Sequence, residues 1–120
     1  MEVDIELTDN QKKEAIKRLK GVSFDNIKID KHYNNKFGLP RHGVSLETSK
    51  QIYNEFNKIV TVTYRESSFG RKYCFFYKIN KKKSYKLLFF LDKNPIILFN
   101  AMSIGKNVEQ RLFRKFGFNR

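Results

Sequence analysis

The residues best suited to chemistry in this 120-residue chain fall in two groups. His32 and His42 stand among Lys31, Lys36 and Arg41, and further on come Tyr64, Arg65, Glu66, Arg71 and Lys72. Histidine and glutamate exchange protons, while arginine and lysine hold anionic oxygens. That inventory suits RNA cleavage, in which the 2′-hydroxyl attacks its own phosphate. The reaction needs a proton acceptor, a proton donor and cations on the developing phosphorane charge, without a bound nucleophile or a metal. The catalytic candidates are therefore His32, His42, Glu66 and Arg71. Candidates for nucleic-acid contacts are Lys36, Arg41, Arg65, Lys72 and the run Lys81-Lys82-Lys83.

Each candidate also has a plainer reading. His32 fits a surface loop, and His42 fits a residue packed at the entry to a helix. Arg65, Glu66, Arg71 and Lys72 fit cross-strand ion pairs at a sheet edge, and the three lysines fit a charged turn that keeps a hairpin soluble. On alternating strand positions Tyr64 and Glu66 share a face while Arg65 points away, and Arg71 and Lys72 open the next strand across the hairpin. Asn100 and Ser103 interrupt an apolar run on opposite faces of a later strand, where they either end it or line a site.

Common catalytic patterns are missing: the sequence has no G-x-x-x-x-G-K-[ST], H-E-x-x-H or G-x-S-x-G. Two histidines and one cysteine make a zinc or two-metal site improbable, and no cofactor is expected. Cys74, alone, forms no disulfide within the chain, which points to a reducing, cytoplasmic setting. Glu2, Asp4, Glu6 and Asp9 give the first residues an acidic character unlike a signal peptide, and the apolar runs at 87–91 and 95–99 are too short to cross a bilayer.

These side chains need elements to position them. Thr8 and Gln11 form a T-x-x-Q capping box for a helix that runs to Lys20 and stops at Gly21. Residues 22–44, with Gly38, Pro40 and Gly43, read as irregular, with a short helical turn at 31–37. Ser45 caps a second helix over 45–56. From Lys58 the period becomes two, predicting strands at 59–66, 71–79, 85–92 and 96–104. Asn107 and Gln110 cap a closing helix. The expected fold is α+β: a four-stranded antiparallel sheet with two N-terminal helices and one C-terminal helix. One domain spans 1–120, divided into a helical extension (1–21), a basic loop and helix (22–57), and the sheet with its closing helix (58–120). The middle strands are apolar at nearly every position, so either both sheet faces are covered or one meets another protein.

Charge is distributed unevenly. Residues 1–57 hold 10 Lys/Arg and 9 Asp/Glu, whereas residues 58–120 hold 15 and 3. A lysine-rich composition alone would spread over both halves; its concentration in one implies a surface under an electrostatic requirement, most often a phosphate backbone.

The segment His32-x-x-x-Lys36 followed by Arg41-His42-Gly43-Val44-Ser45-Leu46-Glu47 resembles the basic helix entry of BrnT-type toxins, within the wider RelE-like ribonuclease group. The likeness in order of elements covers about residues 30 to 116. The resemblance implies a metal-independent endoribonuclease, the toxin of a toxin–antitoxin pair neutralised by a small protein partner. His32, Lys36, Arg41 and His42 match the basic motif, with Arg65, Arg71 and Lys72 as looser strand-borne matches. Asn100-Ala101-Met102 stands where such chains carry Ser-Ala-Arg, a departure that touches catalysis more than RNA binding. The expected function is endoribonuclease activity on RNA; the alternative is a non-catalytic RNA- or DNA-binding module. A protein partner, antitoxin-like or a second copy through an apolar sheet face, is a third element of the reading.

Overall fold

The computed structural model describes residues 4–31, 33 and 44–116, apart from the side chains at 108, 112, 113, 115 and 116. The elements are β1 (Ile5–Glu6), α1 (Asp9–Lys20), β2 (Lys28–Ile29), α2 (Leu46–Tyr53), β3 (Ile59–Ser67), β4 (Gly70–Lys78), β5 (Ser84–Phe90), β6 (Ile97–Ile104) and α3 (Lys106–Phe116). Among the described residues the strands form one sheet in the order β1-β3-β4-β5-β6-β2. β1 is antiparallel to β3, but β2 runs parallel to β6. The expected four-stranded antiparallel sheet with two N-terminal helices and one C-terminal helix is corrected accordingly: the fold is α+β with three helices and a six-stranded mixed sheet among the described residues. The two extra strands have two residues each, too short for alternation to register. Backbone pairing defines them instead, with Leu7 N–H donating to the Val62 carbonyl at 3.2 Å and Lys28 N–H to Ile96 at 2.9 Å.

Helix starts follow local chemistry. The Thr8 backbone N–H donates to Gln11 Oε1 at 2.9 Å and Gln11 N–H donates to Thr8 Oγ1 at 3.2 Å, a reciprocal cap. Such a cap contributes about 1 kcal/mol. Ser45 Oγ accepts from Thr48 N–H at 3.2 Å to open α2. α3 begins one residue before the expected cap: Glu109 N–H donates to the Gly105 carbonyl at 3.0 Å, which places Asn107 inside the first turn. No described helix is long and apolar enough to cross a membrane.

The β3–β4 hairpin closes on two residues, Ser68 and Phe69, with Ser67 opposite Gly70. Gly70 sits at φ 135°, a backbone conformation that side chains with a Cβ rarely adopt. Between β5 and β6 the register slips, so that Leu88 faces Asn100 and Phe89 faces Leu98, leaving Phe99 as a bulge. Asn100 Oδ1 accepts the Ala101 N–H there at 2.9 Å.

One face of the sheet builds the main core: Val62, Phe75, Tyr77, Leu87, Phe89 and Leu98 pack against Ala15 and Leu19 of α1 and Ile52 and Tyr53 of α2. The other face carries a smaller cluster of Cys74, Phe76 and Ile104, with Val60 and Leu88 against it. Near-continuous apolar strands therefore bury residues on both sides, and Glu109 of α3 reaches Lys78 and Ser84 on the second.

Buried tyrosines tie the helices down. Tyr53 is 1 % exposed, and its hydroxyl lies 2.6 Å from the Leu19 carbonyl and 2.5 Å from that of Val22, at the end of α1, where the Leu19 carbonyl also accepts the Val22 N–H at 3.1 Å. Tyr77 of β4 in turn donates to the Tyr53 carbonyl at 3.3 Å. Tyr33 donates to the Val44 carbonyl and lies 2.8 Å from Ser49 Oγ of α2. Phe24, Phe56 and Phe89 stand edge-on around the Tyr53 ring at 5.3, 5.1 and 6.0 Å.

Replacing Tyr53 with Phe leaves the carbonyls of Leu19 and Val22 without its hydroxyl, so Tyr53→Phe should lower unfolding free energy by roughly 1–3 kcal/mol. Lys50→Ala, which breaks an exposed pair with Asp25, should change it by less than about 0.5 kcal/mol. Urea midpoints measure both.

Burial also pushes the Tyr53 phenol up to about 12, and raises Tyr33 and Tyr77 above the usual 10.0. In the unfolded chain these phenols ionise near 10, so above that pH the unfolded state sheds protons that the folded state keeps. Stability should be full below pH 10 and fall as pH climbs from 10 through 12. Denaturation curves across that window check it, and Tyr53→Phe should flatten the slope.

Candidate nucleic-acid interface

The pleat sorts the basic residues of β3 and β4 onto two faces. Pairing sets Glu66 opposite Arg71 and Arg65 opposite Lys72. Arg71 Nε donates to Glu66 Oε1 at 2.6 Å, and its guanidinium lies 4.0 Å from the centroid of the Tyr64 ring. Donating to the Glu66 carboxylate raises the Arg71 pKa further. Arg65 turns away from them and donates to Asp4 Oδ1 at 2.8 Å. Lys72 therefore parts from Arg71, although the two adjoin in sequence: its ammonium sits 4.8 Å over Phe99 on the second face.

Two clefts result, at opposite ends of β4, about 23 Å apart at the usual rise per strand residue. The first, about 360 Å³, lies between α1 and the hairpin end of the sheet, lined by Glu14, Arg18, Arg71, Tyr73 and Asp92 among others. Asp92 joins its walls: Tyr73 donates to Oδ2 and Arg18 to Oδ1, each at 3.2 Å. Burial raises the Tyr73 pKa, and the Asp92 carboxylate adds to that rise.

The second cleft, about 730 Å³, opens between the β4–β5 turn and the start of α3. Lys58, Lys78, Lys81, Lys82 and Lys106 line it, with Glu109 as its one carboxylate. Lys78 is paired with that glutamate at 2.5 Å, and Ser84 donates to it at 2.8 Å. Lys58, Lys81, Lys82 and Lys106 are exposed and have no carboxylate partner among the described residues. The turn that presents them is ordered by Asn80, whose Oδ1 accepts from the N–H groups of Lys82 and Lys83 at 2.8 and 2.9 Å. Four ammonium groups at one opening attract phosphate by field alone, with Asn80 and Gln110 as further polar contacts.

Of the sequence candidates, Glu66 and Arg71 meet at the rim of the first cleft, Lys81 and Lys82 line the second, Lys83 shares their turn, and Arg65 and Lys72 lie on the second face. His32, Lys36, Arg41 and His42 lie outside the described residues. Sequence reasoning missed Lys58, Lys78 and Lys106, which converge from three separate segments. A local signal existed for Lys78, which shares strand parity with Lys72. Arg18, Tyr73 and Asp92 were missed for the same non-local reason.

Cys74 is buried, and that burial pushes its thiol up to about 12, away from the thiolate form at neutral pH. No three His, Cys, Asp or Glu side chains group as metal ligands among the described residues. Compared with known proteins, the chain matches no family model, no curated protein and no solved structure.

Proposed function

We propose that this protein binds nucleic acid, RNA ahead of DNA, with the lysine cleft as its phosphate-binding site. The observation that carries this reading is the set of Lys58, Lys81, Lys82 and Lys106 around one opening where the only carboxylate among the described residues, Glu109, is already engaged by Lys78 and Ser84. Surface lysines kept for solubility have no reason to gather from three segments around a concavity, and isolated ion pairs would balance them. The preference for RNA rests on the resemblance of residues 32–47 to ribonuclease toxins. An intracellular setting fits a chain whose single cysteine, Cys74, is buried.

Binding should be steeply salt-dependent, as expected when phosphates displace counterions. With three phosphate contacts removed, a Lys81→Ala, Lys82→Ala, Lys106→Ala variant should bind more weakly, and its log–log salt slope should shrink by about 2. Fluorescence anisotropy across a potassium chloride series measures both. Salt-insensitive binding, or an unchanged slope in the triple variant, contradicts the reading.

A second reading, metal-independent endoribonuclease activity, is favoured by the convergence of Tyr64, Glu66, Arg71 and Tyr73 beside the first cleft. There Glu66 would take the 2′-hydroxyl proton as the 2′-oxygen attacks phosphorus, Arg71 with Arg18 would hold the phosphate, and the Tyr73 phenol would give the departing 5′-oxygen its proton. RNA should then be cut in EDTA to 2′,3′-cyclic ends, and Arg71→Ala or Glu66→Gln should slow cutting at least a hundredfold. Intact structured and unstructured RNAs under those conditions remove the enzyme reading and leave the binding one.

A further inference from the structure

An aromatic group at the hairpin end of the sheet is used by neither cleft. Phe69 occupies the two-residue loop between β3 and β4 and is 56 % exposed. Small polar residues or glycine usually fill such loops, so packing does not call for a phenylalanine there. Its ring stands edge-on to Phe90 with centroids 4.9 Å apart, and Phe90 stands edge-on to Phe99 at 5.4 Å. Phe90 is 3 % exposed, a fixed wall between exposed Phe69 and half-buried Phe99.

Each outer ring carries a cation. Lys93 Nζ lies 4.6 Å from the centroid of Phe69, and Lys72 Nζ lies 4.8 Å from that of Phe99. The Lys93 stem passes in van der Waals range of Gly70, 3.4 Å from where a Cβ would stand, and the β6 bulge brings Phe99 to the same face as its neighbour Asn100. Rings flanked by ammonium groups suit a polymer that alternates flat apolar faces with negative charge.

We propose that Phe69, backed by Phe90, is a stacking platform for unpaired bases, so that the nucleic acid recognised is single-stranded. This inference rests on the nucleic-acid reading above. On binding, Lys93 exchanges the Phe69 ring face for a phosphate and leaves that face to a base. Every base has a π-face, so the platform tolerates sequence. A duplex keeps its bases stacked inside and offers these rings nothing. A second copy of the chain is the poorer occupant, since a net charge of +13 repels its like.

The test uses the full chain with a labelled oligouridylate and an RNA duplex of equal length. The single strand should bind more tightly, and Phe69→Ala should weaken it about tenfold while leaving duplex binding and the urea midpoint unchanged. The sequence has no tryptophan, so Phe69→Trp installs a single reporter at the platform. Its emission should be quenched by the single strand and not by the duplex. If RNA binds but Phe69→Ala has no effect, or the duplex is bound equally, the platform is wrong and the lysine cleft stands. If neither RNA binds, both ideas fall. Self-association that Phe69→Ala abolishes, without any change in RNA affinity, assigns the patch to a second copy and overturns the proposal.

Discussion

Carbonyls buried at helix ends must be hydrogen-bonded, and in this fold tyrosine hydroxyls join the backbone in holding them. α1 ends against the core, where water does not reach the Leu19 carbonyl easily; Tyr53 of α2 reaches across to it and to Val22. Tyr77 of β4 holds the Tyr53 carbonyl, so the last turn of one helix hangs on the next and that one hangs on the sheet. Each hydroxyl is expensive to bury without its partner, which makes the arrangement close to all-or-none. The position of α1 follows from it. With α1 so placed, Arg18 meets Asp92, and the first cleft acquires its far wall.

The sheet contributes the other constraint. Because successive side chains point to opposite faces, a run of cations along β3 and β4 divides into two populations with different company. Arg71 joins Glu66 and the tyrosines; Arg65 and Lys72 join Asp4 and Phe99 on the reverse. Charge that reads as one patch along the chain thus becomes separate surfaces. Among the described residues, a group of cations outnumbering its one carboxylate forms where strand ends, a turn and a helix start coincide. Glu109 sits at its centre but is consumed by Lys78 and Ser84, so it anchors α3 without cancelling the surrounding field.

How much was legible in sequence depended on range. The Thr8–Gln11 and Ser45 caps, the four long strands and the turn at 67–70 show in residue patterns a few positions long, and all could be read. β1 and β2 could not: two residues carry no period, and their partners lie some 60 residues away in β3 and about 70 away in β6. That is why the expected sheet had four strands and no parallel pair. The opposite faces of Asn100 and Ser103 were readable from parity, but the bulge that explains Asn100 was not. Grouping Arg71 with Lys72 failed because adjacency in sequence means opposition in a strand. Lys58 and Lys106 looked like ordinary surface lysines, since nothing local announces a three-segment convergence.

The central claim is that phosphates enter the lysine cleft, and an amide chemical-shift titration of the ¹⁵N-labelled chain with a short single-stranded RNA tests it residue by residue. Saturable shifts at Lys58, at 78–82 and at 104–106 are the predicted result. Shifts confined to the cleft of Arg18, Arg71, Tyr73 and Asp92, with the lysine cleft silent, would contradict it.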